Sequence, residues 1–150
     1  MMLSFPELIT ESVTARFDGE THVAYVIYLG SIGADASTAA YKWLQDLLDT
    51  IGVESLYGEI WDFSKVTQFL PDNLIDARKN SRKFNLVTQN IERIPVAMVV
   101  RDYIQEEILR GPMRNVEENK RKRICHSNDE ALRFIQQWRM NNTAKSASAE

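Results

Sequence analysis

Apolar residues along this chain change their spacing again and again, from the near-continuous runs of strands to the three-and-four-residue recurrence of helices. That alternation restricts the fold more than any other feature. Residues 12–18 and 22–29 are rich in β-branched and aromatic side chains and flank Asp18-Gly19, a hairpin signal. The second run is apolar almost throughout, as in a strand covered on both faces, and belongs inside the sheet. From Asp35 the period becomes helical through Ala36, Ala40, Trp43, Leu44, Leu47, Leu48 and Ile51, with Asp35 or Ser37 as cap and Gly52 as stop.

Residues 57–63 then read as a strand, and residues 71–85 as a second helix that carries proline in its first turn. The apolar stripe of that helix, Leu74, Ala77 and Phe84, is thin, which predicts the most exposed helix of the protein. Residues 94–100 form a short apolar run suited to a buried parallel strand. A helix from Tyr103 to Arg110 follows, broken or kinked at Gly111-Pro112, with a further turn or two through Met113 and Val116. Residues 123–126 make the last strand. Ser127 and Glu130 form a capping box for a helix whose inner face is Ala131, Leu132, Ile135 and Trp138, and a frayed tail is expected over 141–150.

Strands alternating with helices call for an α/β fold: a mostly parallel five-stranded sheet, an antiparallel N-terminal hairpin strand, and four main helices. At 150 residues this is one domain, residues 1–140, with core enough to need neither disulfide nor structural metal. Cys125 is the only cysteine. With no basic, apolar leader and no run of membrane-spanning length, a cytoplasmic location is expected, without membrane contact. Charge is uneven along the chain. Residues 1–75 hold 3 Lys+Arg against 11 Asp+Glu and residues 76–150 hold 15 against 10, so net charges of −8 and +5 face each other in one chain of −3. Such a split fits an acidic partner or a self-complementary surface; folding also mixes halves without functional consequence.

No catalytic constellation assembles from these residues. Cys125 and His126 are adjacent, and in a strand they face opposite sides. Asp62 and Asp102 lie near two strand ends without a histidine at ligand spacing, so capping is their default role and no metal or other cofactor is expected. Gly30, Ser31, Gly33 and Asp35 form a loop before a helix that offers backbone N–H groups to an anion, though it lacks both the dinucleotide fingerprint and the P-loop lysine. Two basic groups stand out, Arg78, Lys79, Arg82 and Lys83 on the second helix and residues 120–123 before the last strand. Neither is interleaved with stacking aromatics, so no nucleic acid is expected; the choice lies between a solvated face and an acidic protein surface.

The segment Ile60-Trp61-Asp62-Phe63-Ser64-Lys65-Val66-Thr67 resembles the strand and loop of the STAS superfamily, whose members carry an Asp-Leu-Ser-x-Val-type segment there. Residues 91–97 and 129–135 are similar to its stand-alone bacterial, SEC14-like branch. Where anti-sigma-factor antagonists of the superfamily have Asp-Ser-Ser-Gly, with the serine that a kinase phosphorylates, this chain has Leu70-Pro71-Asp72-Asn73, and an ungapped alignment puts Asp72 in the serine's place. A carboxylate also has a structural reason to stand at a helix N-terminus. The resemblance implies a regulatory, non-catalytic module that binds a protein through the second helix and the loop before it, with Ser64, Lys65, Asp72, Asn73, Arg78, Lys79 and Arg82 as contact residues. A second copy of the chain, giving a homodimer, is one candidate partner. The SEC14-like branch implies the alternative, a carrier or sensor of a small apolar or anionic ligand, with the anion at Gly30, Ser31, Gly33 and Asp35.

Overall fold

The computed structural model describes residues 5–88, 91–113 and 121–148. Six strands form one sheet in chain order: β1 (Leu8–Ile9), β2 (Val13–Asp18), β3 (Val23–Ile32), β4 (Gly58–Phe69), β5 (Val96–Val99) and β6 (Lys122–Cys125). The pairs β1–β2 and β2–β3 are antiparallel, and β3–β4, β4–β5 and β5–β6 are parallel. The helices are α1 (Ala34–Ile51), α2 (Pro71–Val87), α3 (Tyr103–Met113) and α4 (Asn128–Ser148). The order anticipated from sequence is present, with β1 added at the edge. Two residues long, β1 carries no periodicity to read.

Local chemistry explains the turns. The β2–β3 hairpin spans residues 19–22 and is wider than a two-residue Asp-Gly turn. The Asp18 carboxylate accepts the Glu20 N–H at 3.0 Å and the Thr21 hydroxyl at 2.9 Å, and His22 closes the turn with φ 60°. At the end of α1, Gly52 (φ 82°) donates its N–H to the Leu48 carbonyl, the role expected of a glycine stop. The start differs from expectation: Gly33, not Asp35 or Ser37, is the N-cap, and no side chain caps it. At α4 the Ser127 hydroxyl accepts the Glu130 N–H at 3.1 Å, while the glutamate reaches back to the His126 N–H at 2.8 Å. Two expected endings are overrun. The α3 helix passes through Gly111-Pro112 to Met113, and α4 runs beyond Met140 to Ser148, with no glycine or proline in its sequence to stop it. Val116, Lys120 and the tip of the tail lie outside the described residues.

Two cores flank the sheet. On the α1 and α2 face, Val13, Phe17, Val26, Tyr28, Trp61, Phe63 and Val66 pack against Trp43, Leu44, Leu47 and Phe84, and α3 contributes Leu109. Under α4, Val23, Ile60, Ala97, Val99 and Cys125 meet Ala131, Phe134 and Ile135. Alternate residues of β3 and β4 therefore serve opposite cores, which is why these strands read as unbroken apolar runs.

The arm formed by β3 and β4 outreaches its neighbours. Residues 64–67, expected as a loop, continue β4: Leu29 pairs with Lys65, Gly30 with Val66, Ser31 with Gln68 and Ile32 with Phe69. Gly30 and Ser31, also expected in a loop, are thus ladder residues, and Gly30 takes φ 68°. The register slips between the Ile27–Asp62 and Leu29–Lys65 pairs, where β4 carries an extra residue. There the Asp62 carboxylate accepts the Ser64 N–H at 2.8 Å, holding the bulge. Since β5 stops at Val99, side chains cover the edge of the arm. Arg101 donates to the carbonyls of Ser64 (3.2 Å) and Val66 (3.3 Å), and the buried Gln105 amide donates to Val66 at 3.0 Å.

Candidate protein-interaction face

The α2 helix is the least buried of those on its side of the sheet and is held chiefly by polar contacts. Only Asn73 and Phe84 are buried among its residues. Burying a phenylalanine is worth about 1.5–3 kcal/mol, too little to hold seventeen residues without help. The help comes from α1. The Asn73 amide donates to the Gly33 carbonyl at 2.8 Å. The Asp76 carboxylate accepts the buried Ser37 hydroxyl, the Thr38 hydroxyl at 2.9 Å and the Asn80 amide at 2.7 Å. Hydrogen bonds to a charged group contribute more than neutral ones, about 1.5–3 kcal/mol each. This lock fixes α2 beside α1 with their N-termini together.

With that side committed, the opposite side of α2 faces solvent. Ile75, Lys79, Arg82 and Leu86 follow one another at helical spacing along its outermost line, flanked by Arg78 and Lys83, while Val87 ends the helix on the side of Asp76 and Asn80. All four cations are exposed, and among the described residues none has a carboxylate within ion-pair distance. The aliphatic residues are bare: Ile75 is 72% exposed, Leu86 87% and Val87 66%. Cations beside exposed aliphatic side chains make a surface able to meet a partner by both charge and apolar burial. Ile75 and Leu86 escaped the sequence reading because only the inward stripe was traced; the same 3.6-residue wheel turned by half a revolution finds them.

The structure divides the expected contact residues into three places. Asp72 and Asn73 join Gly33 at the paired helix N-termini, where a Cβ on Gly33 would stand 3.5 Å from an Asp72 carboxylate oxygen. Asp35 is exposed in the first turn of α1. Ser64 and Lys65 lie on the β4 arm beside Arg101, and Arg78, Lys79 and Arg82 face outward from α2.

The second basic group is not one surface. Arg121 is buried and donates to the Ile94 carbonyl (2.8 Å) and, at 3.3 Å, to the Asn85 side chain. Arg123 lies over the Phe134 ring, 4.6 Å from its centroid. Near Arg121, and unanticipated, lies the buried Glu59, which accepts the Trp61 indole N–H at 2.9 Å. Burial raises the Glu59 carboxyl above its ordinary range, against the opposing pull of Arg121. Burial likewise pushes the nearby Tyr41 phenol up to about 12. No local pattern marks a charged residue in an apolar strand as buried in this way.

Other candidates separate. Cys125 is fully buried under α4, and burial pushes its thiol up to about 11. His126 turns the other way, to Glu106 of α3 at 3.0 Å. Asp102 caps α3, accepting the Gln105 N–H at 2.9 Å, and this bond holds its carboxyl below the usual range.

No family model and no curated protein matches the chain. Among solved structures, an uncharacterised DUF3478-family protein with a SpoIIAA-like fold, from Shewanella loihica PV-4, superposes with a TM-score of 0.54 at 14% identity, covering 90% of this chain and 99% of its own. The anti-sigma factor antagonist SpoIIAA in its unphosphorylated form aligns at a TM-score of 0.43 and 9% identity, over 70% of this chain and 100% of its own. At 14% identity a superposition over nine-tenths of the chain speaks for architecture alone, and the architecture it shows is the SpoIIAA-like, STAS-like fold.

Proposed function

We propose that this chain is a non-catalytic, regulatory STAS-like module that binds a protein partner through the outward face of α2. The observation that carries the reading is the set of four exposed cations, without an ion pair among the described residues, beside Ile75 and Leu86 on a helix pinned from behind by Asp76. The partner surface is acidic with apolar residues among its carboxylates. Asp72 stands where the resemblance places a phosphorylatable serine, so control of the contact does not run through phosphorylation at that position. A cytoplasmic location goes with this reading; no helix among the described residues is long and apolar enough to cross a membrane. The alternative of an anion at Gly33 has the Asp72 carboxylate against it, a like charge at the same helix ends.

The test is the double substitution Arg78→Glu with Lys79→Glu. Both side chains are exposed and, among the described residues, without an ion pair, so stability changes by no more than about 0.5 kcal/mol. Captured partners, quantified by mass spectrometry for wild type and variant in parallel, fall away from the variant. Equal capture by both proteins discards this face.

A further inference from the structure

The solvent side of α2 has an order of its own. Ile75, Lys79, Arg82 and Leu86 are spaced by four, three and four residues, and Phe84, buried in the core, stands on the opposite side of the helix. A four-three-four spacing is the seam along which one helix of a coiled coil meets another, each seam residue entering a hole between residues of the partner. Arg78 and Lys83 take the flanking places, one on each side, where coiled-coil helices carry the charges that select a partner. The order is symmetrical, an aliphatic residue, two adjacent cations, two more, then an aliphatic residue, so it is the same in either direction along the helix. From Ile75 to Leu86 the seam runs about 16.5 Å along the axis. Ile75 and Leu86 are bare, and the four cations have no ion pair among the described residues. Away from its ends a helix has its backbone N–H and C=O groups committed within itself, so a partner here is held by side chains and an extended peptide finds no edge to pair with. A second α2 is excluded as the occupant, because in either direction it sets Lys79 and Arg82 against like charges.

We infer that the partner of α2 presents a single acidic α-helix, laid along α2 as the second strand of a short two-helix coiled coil. Its carboxylates stand opposite Arg78, Lys79, Arg82 and Lys83, and an aliphatic residue stands opposite each of Ile75 and Leu86. This deepens the reading of α2 as the docking face and rests on it. The four cations fix the register, since a slip of one turn sets an aliphatic residue against a cation and a carboxylate against Ile75 or Leu86. The two aliphatic contacts close the ends of the seam and keep water from the charge pairs between them. The hydrogen bonds from Ser37 and Thr38 to Asp76 hold α2 in place before the partner arrives, which lowers the ordering cost of binding.

Helical peptides test the inference on the full chain. The probe is a fluorescein-labelled peptide with blocked ends, about 20 residues long so that it forms helix in isolation. It carries leucine at the two positions that face Ile75 and Leu86, glutamate at the four that face the cations, and alanine or glutamine elsewhere. One control has the same composition with its glutamates on the opposite side of the helix; a second has proline at its centre. Fluorescence anisotropy shows the probe bound, each control weaker by about tenfold or more, and affinity falling as salt rises. Arg78→Glu with Lys79→Glu, or Ile75→Ser with Leu86→Ser, weakens the probe by a similar factor, and circular dichroism checks the fold of each variant. The variant with all four cations changed to glutamate binds the peptide that has lysine in place of glutamate, a recovery that separates a lost contact from a misfolded chain. No binding of the probe, equal binding of either control, or binding indifferent to Ile75→Ser with Leu86→Ser overturns the helix as the form of the partner. If captured protein still falls away on Arg78→Glu with Lys79→Glu, α2 remains the docking face and this inference alone fails; equal capture removes both. Binding of vesicles containing phosphatidylserine, or of duplex DNA, through α2 in preference to the probe also overturns both.

Discussion

Gly58 opens β4 directly beneath α4, and the space above it is already taken. A Cβ built there stands 2.6 Å from Cγ2, 2.7 Å from Cδ1 and 2.9 Å from Cγ1 of Ile135. Ordinary carbon–carbon contact is about 3.5–4.0 Å, so Gly58→Ala forces Ile135 from its rotamer or lifts α4 by roughly 1 Å. Overpacking of this kind costs about 1–3 kcal/mol. At this chain length each kcal/mol lowers Tm by about 2–4 °C. Ile135→Ala alone costs about 2–5 kcal/mol through the cavity it leaves. It also removes all three crowding atoms, so the alanine methyl at position 58 fits, and the double variant is more stable than the sum of the single effects by at least about 1 kcal/mol. Urea unfolding of the four proteins closes the cycle. Additivity within about 0.5 kcal/mol, or a neutral Gly58→Ala, refutes the packing argument. Because α4 and α2 cover opposite faces of the sheet, Gly58→Ala leaves partner capture unchanged while it lowers Tm.

Glu59 gives a pH prediction. Burial holds its folded-state carboxyl above its ordinary value, so its contribution to stability is fully present below that ordinary value and is lost as pH rises through the folded-state titration. Glu59→Gln mimics the protonated form and keeps an acceptor for Trp61; its Tm relative to wild type rises from pH 4 to pH 8, and a gain constant with pH contradicts the assignment. Cys125, fully buried with its thiol pushed up to about 11, resists iodoacetamide at pH 8 in the native protein and reacts once urea unfolds it; rapid native labelling in an intact-mass measurement disproves this. Ser127→Ala removes the acceptor of the Glu130 N–H and lowers stability by about 0.5–2 kcal/mol in chemical denaturation, with no loss of binding through α2.

Much of this was decided locally. Spacing within α1, β-branched content in β2 and β3, and the Ser127 and Glu130 pair each carry their structure within a few residues, because helical period, strand propensity and capping are short-range effects. Hence the order of elements, the central place of β3 and the thin attachment of α2 were legible in the sequence. So was the opposite orientation of Cys125 and His126. Tertiary contacts decided the rest. The polar run from Ser64 to Gln68 is strand because β3 extends beside it and Arg101 and Gln105 satisfy its outer edge. Arg121 is buried, unlike its neighbours in a basic run, because the Ile94 carbonyl and Asn85 await it there. Gly33 and Asn73, 40 residues apart, meet only when α1 and α2 lie side by side. Which side of α2 is left to solvent was likewise settled by Ser37 and Thr38 reaching Asp76, since a sequence shows the charges a helix carries while its packing selects those that stay available to a partner.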